Sequence, residues 1–220
     1  MIRQWKLYGW NETVPNYKEF YYNSFDHVAQ QTHNWGYDYF YKENYHFPYS
    51  DTQSIYEMWD CHIKEGDVIV DLGANVGFFT RHAAEKGAIV ISIEGAPEIY
   101  SCLIENTHDL PNVHCMNAIV IGSKATSNVW SPKSSFTPTV TLQEIMDIYA
   151  LEKINFLKCD IEGGEYDLFS HTPQSVWDSI ERVSLEPHGI EEQMWSLNIP
   201  GKQREHFLYN NSPMFYFKPQ

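Results

Sequence analysis

Seven residues carry the strongest chemical signal in this chain: Asp71-Leu72-Gly73-Ala74-Asn75-Val76-Gly77. They follow an apolar run, Val68-Ile69-Val70, and lead into a helix, since Val76, Phe79, Thr80, Ala83 and Ala84 recur at helical spacing. A glycine turn between a strand and a helix lets a ligand approach the backbone, and a helix start offers free N–H groups to an anion. Asp71 ends the strand and is expected to aim a carboxylate into the same crevice. A dinucleotide site wants G-x-G-x-x-G. The order here is G-x-N-x-G, which weakens a nicotinamide oxidoreductase reading and suits a ligand with a cationic end.

Glu94 closes a second apolar run and is followed by Gly95. A carboxylate about 20 residues beyond the first glycine is where a βαβ unit meets the two hydroxyls of a ribose. A nucleoside with its ribose on Glu94 and a charged end near the turn describes S-adenosylmethionine. Farther on, Lys158, Asp160 and Glu162 alternate with period 2 and are expected on one strand face. Glu186 and His188, also two apart, end a later run. These groups suit proton transfer: His188 titrates nearest neutrality and is the first candidate for a general base, with Asp160 and Glu162 next. Asp160, Glu162, Glu186 and His188 are also the types that hold a hard divalent cation. An ion-pair network with Lys158 is the plain structural alternative for Asp160 and Glu162.

The elements that must position these groups alternate. Strands are expected over 67–71, 88–94, 113–121, 154–161 and 183–186. Between them stand a helix stopped by Gly87, one opened by Pro97, one opened by a Thr141/Glu144 capping box, and one over 164–169. Residues 207–209 and 214–217 flank Asn210-Asn211-Ser212-Pro213 as a hairpin. The fold class is therefore α/β: a Rossmann-like, doubly wound, mostly parallel sheet with a C-terminal antiparallel hairpin edge. More than half of the aromatic residues fall before residue 60, among them Tyr37, Tyr39, Phe40, Tyr41, Tyr45, Phe47 and Tyr49. Residues 1–55 read as an aromatic-rich N-terminal extension, with a short helix around 52–62, and residues 56–220 as the main domain. The extension suits core packing, or a wall that stacks on a sugar.

At 220 residues the chain suits one domain with an extension. Its net charge of −14 excludes a dominant role on nucleic acid or an anionic membrane. No signal peptide or membrane span is expected. The four cysteines, Cys61, Cys102, Cys115 and Cys159, form no C-x-x-C pair and read as free thiols in a reducing, cytoplasmic setting. Cys159 is expected to face away from its acidic neighbours and pack as an apolar group.

In these same motifs the sequence resembles the FkbM-type methyltransferases. Residues 71–77, preceded by Gly66-Asp67-Val68-Ile69-Val70, are similar to that family's first motif. Asn117-Ala118, Thr141-Leu142 and Leu157-Lys158-Cys159-Asp160-Ile161-Glu162-Gly163-Gly164-Glu165 follow in the family's order. The resemblance covers about residues 65–188. It implies a class I, S-adenosylmethionine-dependent methyltransferase that acts on a hydroxyl of a sugar or another small polar metabolite. On that reading Asp71, Gly73, Ala74, Asn75, Gly77, Phe78, Glu94, Gly95, Asn117, Ala118 and Asp160 hold the cofactor, and Asp160, Glu162, Glu186 and His188 flank a small-molecule or glycan acceptor. The alternatives are an N- or carboxyl-methyltransferase and a non-catalytic binding module on the same fold.

Overall fold

Continuous apolar runs make strands that are buried on both faces, and such strands belong in the middle of a parallel sheet. A computed structural model describes residues 2–6, 19–23, 56–125, 137–209 and 212–220. The aromatic run from Tyr37 to Tyr49, residues 52–55 and the hairpin tip at 210–211 lie outside the described residues. In chain order the elements are β1 (Ile2–Lys6), β2 (Glu19–Asn23), β3 (Val68–Leu72), α1 (Phe78–Glu85), β4 (Ile89–Glu94), α2 (Pro97–Thr107), β5 (Val113–Asn117), β6 (Ile119–Val120), β7 (Thr139–Val140), α3 (Leu142–Ile148), β8 (Ile154–Cys159), α4 (Glu165–His171), α5 (Gln174–Asp178), β9 (Ile180–Leu185), α6 (Glu191–Ser196), β10 (Lys202–Tyr209) and β11 (Ser212–Pro219). β1 and β2 form an antiparallel pair of their own.

The main sheet has seven strands in the order β10-β11-β9-β8-β3-β4-β5. Its β9-β8-β3-β4-β5 part is parallel. The chain leaves β3 toward β4 on one side and returns to β8 on the other. The switch point of this Rossmann-like sheet, where a crevice opens beyond the strand ends, therefore lies between β3 and β8. The terminal hairpin does join at an edge, but its second strand is not the outer one: β11 inserts antiparallel between β9 and β10. The side chains explain why. Met214, Phe215, Tyr216 and Phe217 are consecutive and buried. β10 carries Lys202, Gln203, Arg204 and Glu205, which suit an edge.

Two further expectations need correction. The third strand does not run unbroken over 113–121. It leaves the sheet at Ala118, whose N–H donates to the Glu94 carbonyl at 3.1 Å, and the continuation β6 pairs with β7. The short helix around 52–62 is not formed in its described part: residues 56–60 are turns, with Trp59 and Asp60 at positive φ. The start and stop signals hold. Pro97 opens α2, Thr141 and Glu144 form a reciprocal capping box, and Gly87 takes a left-handed φ of 88° just past α1.

The sheet buries a core on each face. Val70, Leu72, Ile91, Ile93, Leu157 and Cys159 point to one face. Ile69, Val90 and Phe156 point to the other, beneath Phe79, Ala83 and Ala84 of α1 and Tyr56, Met58, Cys61 and Ile63 of the segment before β3. Glu57 pins that segment. Its buried carboxylate accepts the Ile63 N–H at 3.0 Å, lies 2.6 Å from His82 Nε2, and takes Lys86 Nζ at 2.8 and 2.9 Å. Burial alone would raise its pKa, but the His82 and Lys86 contacts outweigh it and lower the value to about 2. A lowered carboxylate stabilises the fold above its unfolded value, and the gain is lost as pH falls toward 2. Glu57→Gln is expected to cost about 3 kcal/mol at pH 7. In urea unfolding at a series of pH values, the gap from wild type should narrow below pH 4.5 and close near pH 2; a gap that stays constant with pH would refute this.

Candidate functional site

The turn after β3 follows from three left-handed residues at alternate positions: Gly73 (φ 71°), Asn75 (φ 52°) and Gly77 (φ 95°). Asparagine tolerates this region better than most residues, and its own Oδ1 accepts the Val76 N–H at 2.7 Å. The Gly73 and Ala74 N–H groups both donate to the Ile93 carbonyl, at 3.0 and 2.9 Å, which ties the turn to β4. Gly73 also presses on the end of β8: a Cβ there would stand 1.7 Å from the Asp160 carbonyl oxygen. Phe78, half-buried, begins α1, and no side chain caps that helix start.

Glu94 sits half-buried at the end of β4. Its Oε2 accepts the Asn75 N–H at 2.9 Å and its Oε1 the Ala96 N–H at 2.8 Å. Burial raises its pKa, against the pull of those two N–H groups. Each carboxylate oxygen has two acceptor positions, so room remains for two hydroxyls. Asn117 and Ala118 frame the same strand end. Asn117 Nδ2 donates to the Glu94 carbonyl at 2.8 Å and to that of Gly95 at 3.4 Å. Gly95 packs beside Ile119.

Asp71 departs from expectation. It is fully buried and does not open into the crevice. Its Oδ2 accepts the Thr80 hydroxyl at 2.6 Å, and its Oδ1 lies 3.3 Å from Lys158 Nζ. Register explains this. Ser92, Asp71, Lys158 and Ser184 stand opposite one another on β4, β3, β8 and β9, on the face that α1 covers. Lys158 is the centre of this buried polar row. Its Nζ donates to the Gly73 carbonyl at 2.7 Å and lies 3.6 Å from Asp160 Oδ2. Burial opposes its charge, but Asp71 and Asp160 more than offset this and raise its pKa.

The acidic cluster assembles at the ends of β8 and β9, though not on one strand face. β8 ends at Cys159, and Glu162 comes round through a turn with φ 52°. Glu165, fully buried at the start of α4, holds that turn: it accepts the N–H groups of Ile161 at 3.0 Å and Gly163 at 2.9 Å. It also holds His188 Nδ1 at 3.1 Å, which turns Nε2 toward Glu162 Oε2 at 3.7 Å and Asp160 Oδ1 at 3.9 Å. Burial lowers the His188 pKa, but the Glu165 hydrogen bond and the three carboxylates raise it to about 9. The ring is then a cation at neutral pH, so the reason for making it the first candidate base does not hold. Glu186 moves the other way: burial and the charge of Asp160 push it up to about 7. Donor atoms of Asp160, Glu162 and His188 lie within 4.8 Å of one another, whereas Glu186 turns away to the hydroxyl of Tyr56.

Three residues were not legible as site residues. Glu165 stands at the end of the acidic motif, but nothing in its spacing shows that it holds His188. Lys158 was weighed only as a counter-ion. Tyr56 lies at the start of the main domain, where no motif marks it.

The sequence matches the family described as "Methyltransferase FkbM domain" over residues 71–199, more than half of the chain. No curated protein sequence matches. Solved structures of similar fold include Aeropyrum pernix fibrillarin in complex with natively bound S-adenosyl-L-methionine (14% identity, 70% of this chain and 67% of that one, TM-score 0.47). They also include precorrin-6y C5,15-methyltransferase from Geobacter metallireducens (11%, 71% and 82%, 0.45) and an rRNA methylase from Streptococcus thermophilus (14%, 72% and 90%, 0.47).

Proposed function

The chain belongs to the FkbM methyltransferase family, and from that premise we propose that it transfers a methyl group from S-adenosylmethionine to a hydroxyl of a sugar or another small polar molecule. The observation that carries this reading is the meeting of four strand ends, those of β3, β4, β8 and β9, around the switch point. Gly73 touches the end of β8, Glu94 lies on one side of it, and Asp160, Glu186 and His188 lie on the other.

The residues present fit that cofactor. Glu94 retains acceptor positions for the ribose hydroxyls. Asp160 Oδ1 is a buried oxygen with no hydrogen-bond partner among the described residues, and it faces the acidic end of the crevice. Carboxylates there suit a sulfonium and an ammonium better than a pyrophosphate. When bound, S-adenosylmethionine supplies an electrophilic methyl group. The chain then has to align an acceptor oxygen in line with that methyl, an effect worth roughly 7–11 kcal/mol when fully realised, and take up the proton. Asp160 and Glu186 are the groups offered for the proton, and the His188 cation is a donor that can orient the acceptor oxygen. The reading uses no metal. An anionic carboxyl acceptor is disfavoured by like charge. An amine acceptor is the alternative that the acceptor screen decides. The free thiols suit a reducing, cytoplasmic setting.

Titration calorimetry tests the cofactor. Wild type is expected to bind S-adenosylmethionine and S-adenosylhomocysteine in the micromolar range. Glu94→Ala should weaken both at least about tenfold, since about 1.4 kcal/mol is a factor of ten and a charge-assisted hydrogen bond supplies that much. No binding of either compound by folded wild-type protein would remove the methyltransferase reading and favour a binding module. Methyl transfer over a panel of glycans, hydroxylated metabolites and amines then identifies the acceptor class.

A further inference from the structure

Tyr56 precedes the matched residues, yet its hydroxyl stands between two carboxylates of the site. It lies 3.1 Å from Asp160 Oδ2 and 3.0 Å from Glu186 Oε2. The ring is buried, edge-on to Phe79 at 5.5 Å between centroids, with Lys158 Nζ 5.3 Å from its own centroid. Its neighbour Glu57 locks the segment to α1, so the hydroxyl is held in place from outside the site.

A phenol has one proton and donates it to one acceptor at a time. If both carboxylates were ionised, one would face the phenol oxygen's lone pairs at hydrogen-bonding distance. The contacts are all favourable when one carboxyl keeps a proton, donates it to the phenol oxygen, and the phenol donates to the other carboxylate. Lys158 Nζ at 3.6 Å and His188 Nε2 at 3.9 Å favour the negative charge on Asp160, which leaves the proton on Glu186.

We propose that Tyr56 is a positioning residue for methyl transfer, its hydroxyl joining Asp160 and Glu186 into a pair that holds one proton and, once emptied, takes up the acceptor's proton. This rests on the methyltransferase reading above. In the step, the acceptor O–H bond breaks and its proton goes to the carboxylate pair. The O–CH3 bond forms while the S–CH3 bond breaks, its electron pair staying on sulfur to leave a neutral thioether. Among the described residues, the charged or titratable groups facing Glu186 are Tyr56 from the segment before β3, Lys158 and Asp160 from the end of β8, and His188 beyond β9; Glu162 and Glu165 act on it through His188.

Calorimetry in buffers of different ionisation enthalpy counts the protons exchanged on binding, with no acceptor needed. A sulfonium beside the pair should expel the shared proton, and the uncharged thioether should not. Wild type is therefore expected to release more protons with S-adenosylmethionine than with S-adenosylhomocysteine, most strongly near pH 7. Without the phenol the pair loses the group that joins it, so Tyr56→Phe should shift the pH of that maximum while keeping the S-adenosylhomocysteine Kd within about twofold. Glu186→Gln should abolish the difference with Tyr56 in place, which covers the case that Tyr56→Phe does not fold. With an acceptor in hand, Tyr56→Phe should lower kcat about tenfold with KM within about twofold. The double variant with Glu186→Gln should be no slower than Glu186→Gln alone. An unmoved pH maximum, equal proton release with the two compounds, or losses that multiply would each overturn the role of Tyr56 while leaving the cofactor site standing. Failure of wild type to bind S-adenosylmethionine would overturn both.

Discussion

Gly73→Ala is expected to abolish cofactor binding and to destabilise the protein by several kcal/mol. Two costs add. A left-handed φ of 71° costs about 1–3 kcal/mol for a residue with a Cβ. The added Cβ would also meet the Asp160 carbonyl at 1.7 Å. That carbonyl cannot move away freely, because the Asp160 N–H donates to the Leu72 carbonyl and Lys158 grips the Gly73 carbonyl from beneath. Relief requires prising the turn from β8, at a further cost of about 1–3 kcal/mol for overpacking. Gly66→Ala is the control: φ there is 81°, and nothing lies within 4 Å of the added Cβ. Urea unfolding should place Gly73→Ala well below Gly66→Ala. Calorimetry should find S-adenosylhomocysteine binding lost in the first and kept in the second. Equal stability of the two variants, with binding intact in both, would show that the close approach carries no weight.

Lys158→Met should be almost as damaging, by about 3–5 kcal/mol, because it leaves buried carboxylates without their counter-charge. Asp71 is fully buried, and Asp160 would face Glu186 with less to offset the repulsion. The raised pKa sets the pH range. A lysine raised above its unfolded value stabilises the fold in full below that value, and the gain is lost only as pH rises through the folded one. The lysine itself stays charged between pH 6 and 9, but without it Glu186 is pushed above about 7, so the difference from wild type in urea unfolding should be smaller at pH 6 and grow toward pH 9. Adding Asp71→Asn to Lys158→Met removes the orphaned charge and should recover part of the loss. A single variant within about 1 kcal/mol of wild type would refute the central role of Lys158.

The parts of the fold that were legible in the sequence are those set by short-range rules. The apolar runs 68–70 and 89–93, the Pro97 start, the Thr141/Glu144 box and the Gly73/Asn75/Gly77 turn depend on backbone preferences within a few residues, and all formed as expected. The place of Glu94 at the end of β4 followed from the length of a βαβ unit. By itself, then, the sequence determined an α/β chain with a glycine turn and carboxylates at successive strand ends, and through its motif order it determined the family. It did not determine which way those carboxylates face or what state they are in. Asp71 was expected in the crevice but lies under α1, because Lys158 comes alongside only when β8 pairs with β3. His188 was expected near neutrality but is held as a cation by Glu165, Asp160 and Glu162, which converge on it through a turn that strand alternation does not describe. β11 lies inside the sheet because four consecutive buried residues need partners on both sides. Tyr56 reaches Glu186 from 130 residues away in sequence. Charge, burial and proton sharing depend on distances of 3–4 Å between groups far apart in the chain, and only the folded structure sets those distances.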